Sequence, residues 1–272
     1  MNLGLLHPGE MGVTIGAALV ASGHEVHWLS AGRSAETAAR ARASGFRAQE
    51  SLSALLAEVR GVVSVCPPHA APDVARVVAA TGFSGVFVDA NAIAPATARQ
   101  LALTAGPNYV DGGIVGPPAR TRGATRLYLS GPRAGEVAAW FSQGFVEAVV
   151  VGEGLAEASA LKMCYAAWTK GSGALILAIR ALARHEGVTD ALLAEWARSQ
   201  PGLEQRSQRA AAASVPKAWR FTGEMREIAA AFADAGLPDG FHAAAAEIYS
   251  RIADLKGGDR PGFEEVLRAL GR

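Results

Sequence analysis

The chain has 272 residues, half of them hydrophobic and only 19% charged, with a formal net charge of +1. This length predicts one large or two ordinary domains, and the near-neutral balance excludes the strong field that draws nucleic acid or an acidic membrane surface. Cys66 and Cys164 are too far apart in sequence to suggest a metal site or a disulfide framework, so no metal is expected. The N-terminus lacks a basic segment and its apolar run is interrupted at Pro8, unlike a signal peptide, and no run of about 18 uncharged apolar residues marks a membrane span. The expectation is a soluble cytoplasmic protein.

The opening N-L-G-L-L-H-P-G-E-M-G predicts a strand, a glycine turn and a helix of small residues, the start of a dinucleotide-binding βαβ unit. In register with G-x-G-x-x-G, His7 replaces the first glycine. Gly9 would let the backbone approach a pyrophosphate, and Gly12 would let helix and strand pack closely. Gly9, Glu10, Met11 and Gly12 would then present amides at the helix N-terminus. Glu25 to Leu29 reads as a second strand. Where an NAD site places an acid to hold the ribose 2′-hydroxyl, this chain has Ser30, Arg33 and Ser34. A guanidinium and two hydroxyls suit a 2′-phosphate, which predicts NADP(H). The alternative is a solvated loop arginine.

Helices follow at 35–44 and 52–58, with Ser51 as N-cap, and an apolar strand at 61–65 runs into Cys66-Pro67-Pro68-His69. A double proline after a buried strand predicts a rigid loop at the sheet's carboxyl edge, where open α/β sheets bind ligands. A helix at 73–80 and a strand at 85–88 lead to Asp89-Ala90-Asn91, then a helix from Pro95 to about 102. A strand at 108–110 precedes Asp111-Gly112-Gly113-Ile114-Val115-Gly116, read as a turn. Strands at 125–130 and 146–151 flank one more helix. The alternation predicts a mostly parallel sheet covered on both faces.

Beyond Gly152 the strand pattern stops. Residues 153–184 form one helical pattern on the order of 45 Å long. Its middle is apolar or small on nearly all sides, which predicts burial between domains or subunits. The remainder reads as helices at 190–199, 204–213, 219–235, 241–255 and 261–270. We therefore expect an α/β Rossmann domain at 1–152 and an all-α domain at 153–272, joined by a long interdomain helix.

These segments together resemble the β-hydroxyacid dehydrogenase superfamily, which includes 3-hydroxyisobutyrate and 6-phosphogluconate dehydrogenases and imine reductases. The resemblance spans nearly the whole chain. It rests on the opening G-L-L-H-P-G-E-M-G, on C-P-P-H, D-A-N-A-I-A-P and D-G-G-I-V-G, and on the lysine of E-A-S-A-L-K-M-C-Y. The last helices look like a branch with its own C-terminal domain. The resemblance implies hydride transfer with a nicotinamide cofactor and a homodimer whose long helix helps form the partner's site. It also implies Lys162 as proton donor or acceptor.

The residues themselves agree with part of this. No carboxylate lies in helical range of Lys162, and Ala166, Thr169 and Gly173 leave room on its face. Desolvation would lower its pKa, as suits an acid/base group; the alternative is a lysine whose head reaches solvent. Other positions depart from the family pattern. Tyr165 and Ala166 stand where hydroxyacid enzymes carry amides, and Thr169 replaces the glutamate of the sugar-phosphate enzymes, which argues against 6-phosphogluconate. Tyr165 either supplies the lost polar contact or packs with Trp168 and Leu161. Gly113, Val115 and Gly116 occupy the family's substrate turn, with valine in place of serine. Asn91 is a candidate bond to cofactor or substrate, against an Asx-turn. In the last domain Trp219 and Phe221 are either pocket walls or helix-packing core, and Glu224 and His242 are either polar groups of the cleft or, respectively, a solvated helix glutamate and a packing histidine. The expected activity is NADPH-dependent reduction or oxidation at a carbonyl/hydroxyl carbon, with C=N reduction as the alternative. A catalytically silent NADP-binding sensor or assembly subunit is the alternative from another class.

Overall fold

The computed structural model describes residues 1–257 and 261–271. They form two compact units, 1–162 and 163–272. The first is built on one eight-stranded sheet: β1 (Asn2–Leu5), β2 (Glu25–Leu29), β3 (Arg47–Gln49), β4 (Gly61–Ser64), β5 (Val86–Asp89), β6 (Tyr109–Val115), β7 (Thr125–Ser130) and β8 (Val146–Gly152). The strand order is β3-β2-β1-β4-β5-β6-β7-β8. The pairs from β3 to β6 are parallel, β7 is antiparallel to β6, and β8 runs parallel to β7. The strand order reverses direction at β1/β4, the point where open sheets leave a crevice for a ligand.

Alternation along the strands explains the two cores. Val63, Val88 and Val110 pack with the helices α1 (Glu10–Ala21), α2 (Ala35–Ala43) and α6 (Ala134–Ala139). Val62, Phe87 and Tyr109 pack on the other side with α3 (Leu52–Glu58), α4 (Ala71–Ala80) and α5 (Pro95–Ala105). Strands covered on both faces read as continuous apolar runs, which is how they appear in the sequence. Helix α3 starts where expected, with Ser51 accepting a bond from the Ala54 amide at 3.1 Å.

The long helix α7 (Glu157–His185) starts four residues later than the sequence pattern predicts. The first compact unit runs to Lys162, and the first turns of α7 are bonded to the sheet. The Ser130 hydroxyl accepts from the Ala158 amide at 3.0 Å, and Asp111 accepts from the Ser159 amide at 2.8 Å. These are the orphan donors that every helix start must satisfy. Two of them are satisfied here from strands.

The second unit contains the rest of α7, then α8 (Thr189–Ser199), α9 (Leu203–Ser214), α10 (Ala218–Asp234), α11 (Gly240–Arg251) and α12 (Phe263–Leu270). It is all-helical, as predicted. Helix α7 is not enclosed along its whole length, however. Tyr165, Trp168, Leu175 and Leu182 lie exposed along it, Trp168 by 67% and Leu182 by 61%. Their spacing places them in one stripe of the helix. Among the described residues, no helix is long and apolar enough to cross a membrane.

Candidate active site

The turn from β1 to α1 sits at the carboxyl edge of the sheet. His7 adopts an ordinary negative φ, so the missing first glycine is not required by backbone conformation. The Gly9 amide donates to the His7 carbonyl at 2.9 Å, making a three-residue turn with Pro8 in the middle. Proline's fixed φ suits that position. Gly12 is required: a Cβ there would lie 2.0 Å from the His7 carbonyl oxygen. At Gly9 a Cβ would meet nothing within 4 Å, and no side chain caps α1. Glu10 and Met11 complete that first turn. The open space above Gly9 and an uncapped helix N-terminus fit a pyrophosphate.

After β2 the three predicted phosphate readers separate. The Ser30 hydroxyl donates to the Gln49 carbonyl at 2.9 Å, and Ser34 caps α2 through the Thr37 amide at 3.2 Å. Both have local structural work. Arg33 does not: its Nε is buried without a hydrogen-bond partner. Burial holds its pKa below the usual arginine value, partly offset by the nearby Cys66 thiol. His7 Nδ1 is likewise buried and unpartnered. Burial, then the Arg33 charge, pulls the His7 pKa down to about 4. Buried polar nitrogens normally find partners, and two orphans on neighbouring turns fit an anionic ligand.

The loop after β4 is arranged differently. Pro67 is exposed, and Pro68 opens a short 3-10 turn to Ala70 that runs into α4. The Cys66 amide donates to Asn91 Oδ1 at 2.5 Å. Asn91 Nδ2 donates to Asp89 Oδ2 at 2.9 Å and to Ser64 Oγ at 3.4 Å, and its backbone amide donates to Asp89 Oδ1 at 3.0 Å. Asn91 is thus a buried clip between the ends of β4 and β5. The Asx-turn here belongs to Asp89, whose Oδ1 accepts from the backbone amide of Asn91 two residues on, while the Asn91 side chain bridges the two strand ends through Cys66, Ser64 and Asp89. Burial pushes Asp89 up to about 7 despite both Asn91 bonds, with the Asp111 charge adding to the rise. Burial also pushes the Cys66 thiol up to about 11.

The segment expected to be a substrate turn is the strand β6. Gly113 and Val115 are buried within it, and only Gly116 turns, at φ 118°. A Cβ at Gly113 would lie 2.7 Å from the Ala158 carbonyl and 3.0 Å from Lys162 Cβ. The glycine is there to let α7 approach the strand, a close-contact role that local propensity cannot separate from a turn. Asp111 anchors the same contact. It accepts from the Ser159 hydroxyl at 2.5 Å as well as from the Ser159 amide, and from the Ser130 hydroxyl at 3.1 Å. Burial raises its pKa against those bonds.

Lys162 is half-buried, and its ammonium donates to the Ile114 carbonyl at 2.5 Å. Asp89, the last residue of β5, pairs with Asp111, and Ile114 lies three residues further along β6. That is about 10 Å beyond the end of β5 at the usual rise per residue. The lysine therefore stands at the same carboxyl edge as the His7 turn, Arg33 and the Cys66 loop.

The remaining predicted residues belong to the second unit. Tyr165 is 48% exposed. Trp219 is exposed, with the Lys256 ammonium 5.1 Å from its ring. His242 is buried between Phe232 and Phe241, at ring distances of 4.2 and 5.1 Å, and its Nδ1 is buried without a hydrogen-bond partner. Glu224 is buried, ion-paired with Lys170 and, at 3.2 Å, with Arg220, which removes the solvated-glutamate alternative. Phe221 packs edge-on to Tyr249 at 5.3 Å.

The comparisons with known proteins bear on the whole of this arrangement. A family model described as a domain of unknown function, DUF1932, matches residues 183–252, within the helical unit. A conserved protein of unknown function, whose structure is described as similar to 3-hydroxyacid dehydrogenases, is 26% identical. It aligns over 95% of this chain and all of its own, with a TM-score of 0.70. The 3-hydroxyisobutyrate dehydrogenase of Mycobacterium tuberculosis, solved with L-serine, is 20% identical over 100% of this chain and 99% of its own, with a TM-score of 0.72. The fold is that of the 3-hydroxyacid dehydrogenases. A reductive aminase from Aspergillus terreus, in complex with NADPH and ethyl levulinate, shares the 3-hydroxyacid dehydrogenase fold more distantly, at 18% identity over 98% of both chains and a TM-score of 0.54.

Sequence reasoning missed Asp89, Ser64, Ser130 and Ser159 as members of this edge. A signal existed for the acids: Val86–Asp89 and Tyr109–Asp111 each place a carboxylate directly after apolar strand residues. A buried strand that ends in an acid needs donors for it. The serines carried no such signal, since serine is ordinary in loops and helix starts.

Proposed function

We propose that the chain is an NADP(H)-dependent oxidoreductase acting on a small carbonyl/hydroxyl substrate, with Lys162 as general acid or base. The observation that carries the reading is the placement of Lys162 on the Ile114 carbonyl, at the edge that also holds the nucleotide turn. Gly9, Glu10, Met11 and Gly12 would hold the pyrophosphate through the uncapped start of α1, and Arg33 would take the 2′-phosphate. The nicotinamide, when bound, supplies or accepts the hydride. The Ile114 carbonyl holds the ammonium in position at this edge, from which it would deliver a proton to a substrate oxygen. The Asp89–Asn91 clip fixes the Cys66-Pro67-Pro68 loop beside the cofactor site.

Reduction of C=N is the second reading. It is favoured by the buried Val115, which stands where the family's substrate turn carries a serine. The exposed stripe of α7 supports a homodimer, since a second copy would cover Trp168 and Leu182.

The test assays Lys162→Ala against semialdehydes, ketones and cyclic imines while titrating NADPH and NADH by fluorescence. Turnover should fall by about 10²-fold or more with NADPH affinity within about twofold. Unchanged turnover removes Lys162 from the chemistry. Tight NADPH binding without turnover on any substrate selects the sensor reading. Sedimentation of the same preparation gives the oligomeric state.

A further inference from the structure

His7 is the residue at this edge that the reading above leaves without a role. It replaces a glycine at a position whose backbone needs no imidazole. Its carbonyl accepts from the Gly9 amide and packs closely against Gly12. The side chain then brings an unpartnered nitrogen into a partly buried setting, a cost that a glycine would avoid.

The neighbouring turn has a matching defect. Strands β1 and β2 pair in parallel with Leu5 beside Trp28, so the turns that follow them stand side by side. Arg33 lies on the second turn, also with a buried nitrogen that has no partner. The other charged and titratable groups around the pair are few. Cys66 approaches Arg33 from the β4 loop with a thiol that burial keeps protonated, and Glu10 lies exposed at the start of α1. No carboxylate neutralises the two nitrogens from the sides described. Arg33 Nε can only donate, and His7 Nδ1 donates in one tautomer of the neutral ring and in the protonated one, so a single anion would satisfy both.

We propose that His7 reads the phosphorylated ribose of the dinucleotide together with Arg33, and that it takes up a proton when that phosphate binds. The inference rests on the NADP(H) reading and adds a specificity residue and a proton to it. In the free protein the Arg33 charge and burial keep the imidazole neutral near pH 7. A phosphate dianion between them cancels the repulsion and rewards the imidazolium with a charge-assisted bond. A dinucleotide without the phosphate leaves the ring neutral.

The test is calorimetric titration of NADPH and NADH at pH 7 in two buffers of different ionisation enthalpy, on the wild-type protein, His7→Gln and Arg33→Ala. The phosphate's own ionisation, near pH 6, cancels in the difference between wild type and His7→Gln. Wild type should take up on the order of half a proton more than His7→Gln on binding NADPH, with no such difference for NADH. His7→Gln should weaken NADPH by about tenfold and leave NADH within about twofold. If glutamine is not accommodated in the fold, His7→Gly serves the same comparison. Equal proton balance and equal NADPH/NADH preference in wild type and the His7 variant overturn the proposal. If Arg33→Ala alone abolishes the preference, the NADP(H) reading stands and only the role of His7 falls. If wild type binds neither nucleotide, or binds NADH more tightly, both fall.

Discussion

The two ends of the sheet's carboxyl edge treat polar groups in opposite ways. Around β1 and β2, His7 Nδ1 and Arg33 Nε are buried and left without partners. Around β4, β5 and β6, the side chains of Asn91 and Asp111 are engaged from several directions by Asp89, Ser64, Cys66, Ser130 and Ser159. Both regions contain residues that sequence reasoning would assign to ligands. The difference separates them. A saturated buried network holds the frame, and its loss is felt in folding. An unsatisfied one is paid for in stability and is maintained where a ligand completes it.

This contrast can be broken by substitution. The largest effect is expected at Asp111→Ala, which strips the Ser159 amide and two hydroxyls of their acceptor and releases the start of α7. The cost should be about 3 kcal/mol in urea-induced unfolding. A loss under about 1 kcal/mol would mean that the junction relaxes and that Asp111 is not a structural anchor.

A middle-sized effect tests the charge state of the frame. The folded-state pKa of Asp89 is raised to about 7, well above its unfolded value. The native state therefore holds the proton more tightly. The stabilisation linked to that proton is fully present below about pH 4 and is lost as the pH rises to about 7. Asp89→Asn removes this term. Thermal unfolding followed from pH 5 to pH 8 should show wild type losing more stability than the variant across that range. Parallel curves would show that Asp89 titrates normally in the folded protein.

The smallest effect on folding belongs to the other end of the edge. Arg33→Ala should leave stability within about 0.5 kcal/mol, since it removes a group whose buried nitrogen has no partner to lose. Its measurable consequence is expected in NADPH affinity alone, weakened by about ten- to a hundredfold through loss of a charge-assisted bond. A strongly destabilised Arg33→Ala would move Arg33 into the frame and erase the contrast.

The elements of the first unit were largely legible because their signals are local. Leu52–Glu58 and Thr125–Ser130 carry their own cap and alternation, and both match the predicted spans. The segment Asp111–Val115 was not legible. Two adjacent glycines after an acid have the local chemistry of a turn, yet here they continue a strand. The reason is the close approach of Ala158 and Lys162, which lie more than forty residues away in the sequence. The bonds of Asn91 are illegible for the same kind of reason, since its partners Ser64 and Cys66 come from the end of another strand.

The sequence by itself determined the βαβ opening, the helical second unit, the arginine where an acid would select NAD, and a lysine on the long helix. Each follows from periodicity or from residue chemistry at a counted distance from a motif. Only the tertiary structure decided which polar residues are spoken for. Whether a buried nitrogen or carboxylate is satisfied depends on groups from other strands, and no local pattern records them. That is why the bonds that engage Asn91 and Asp111, and the unpartnered nitrogen of His7, show only in the folded chain.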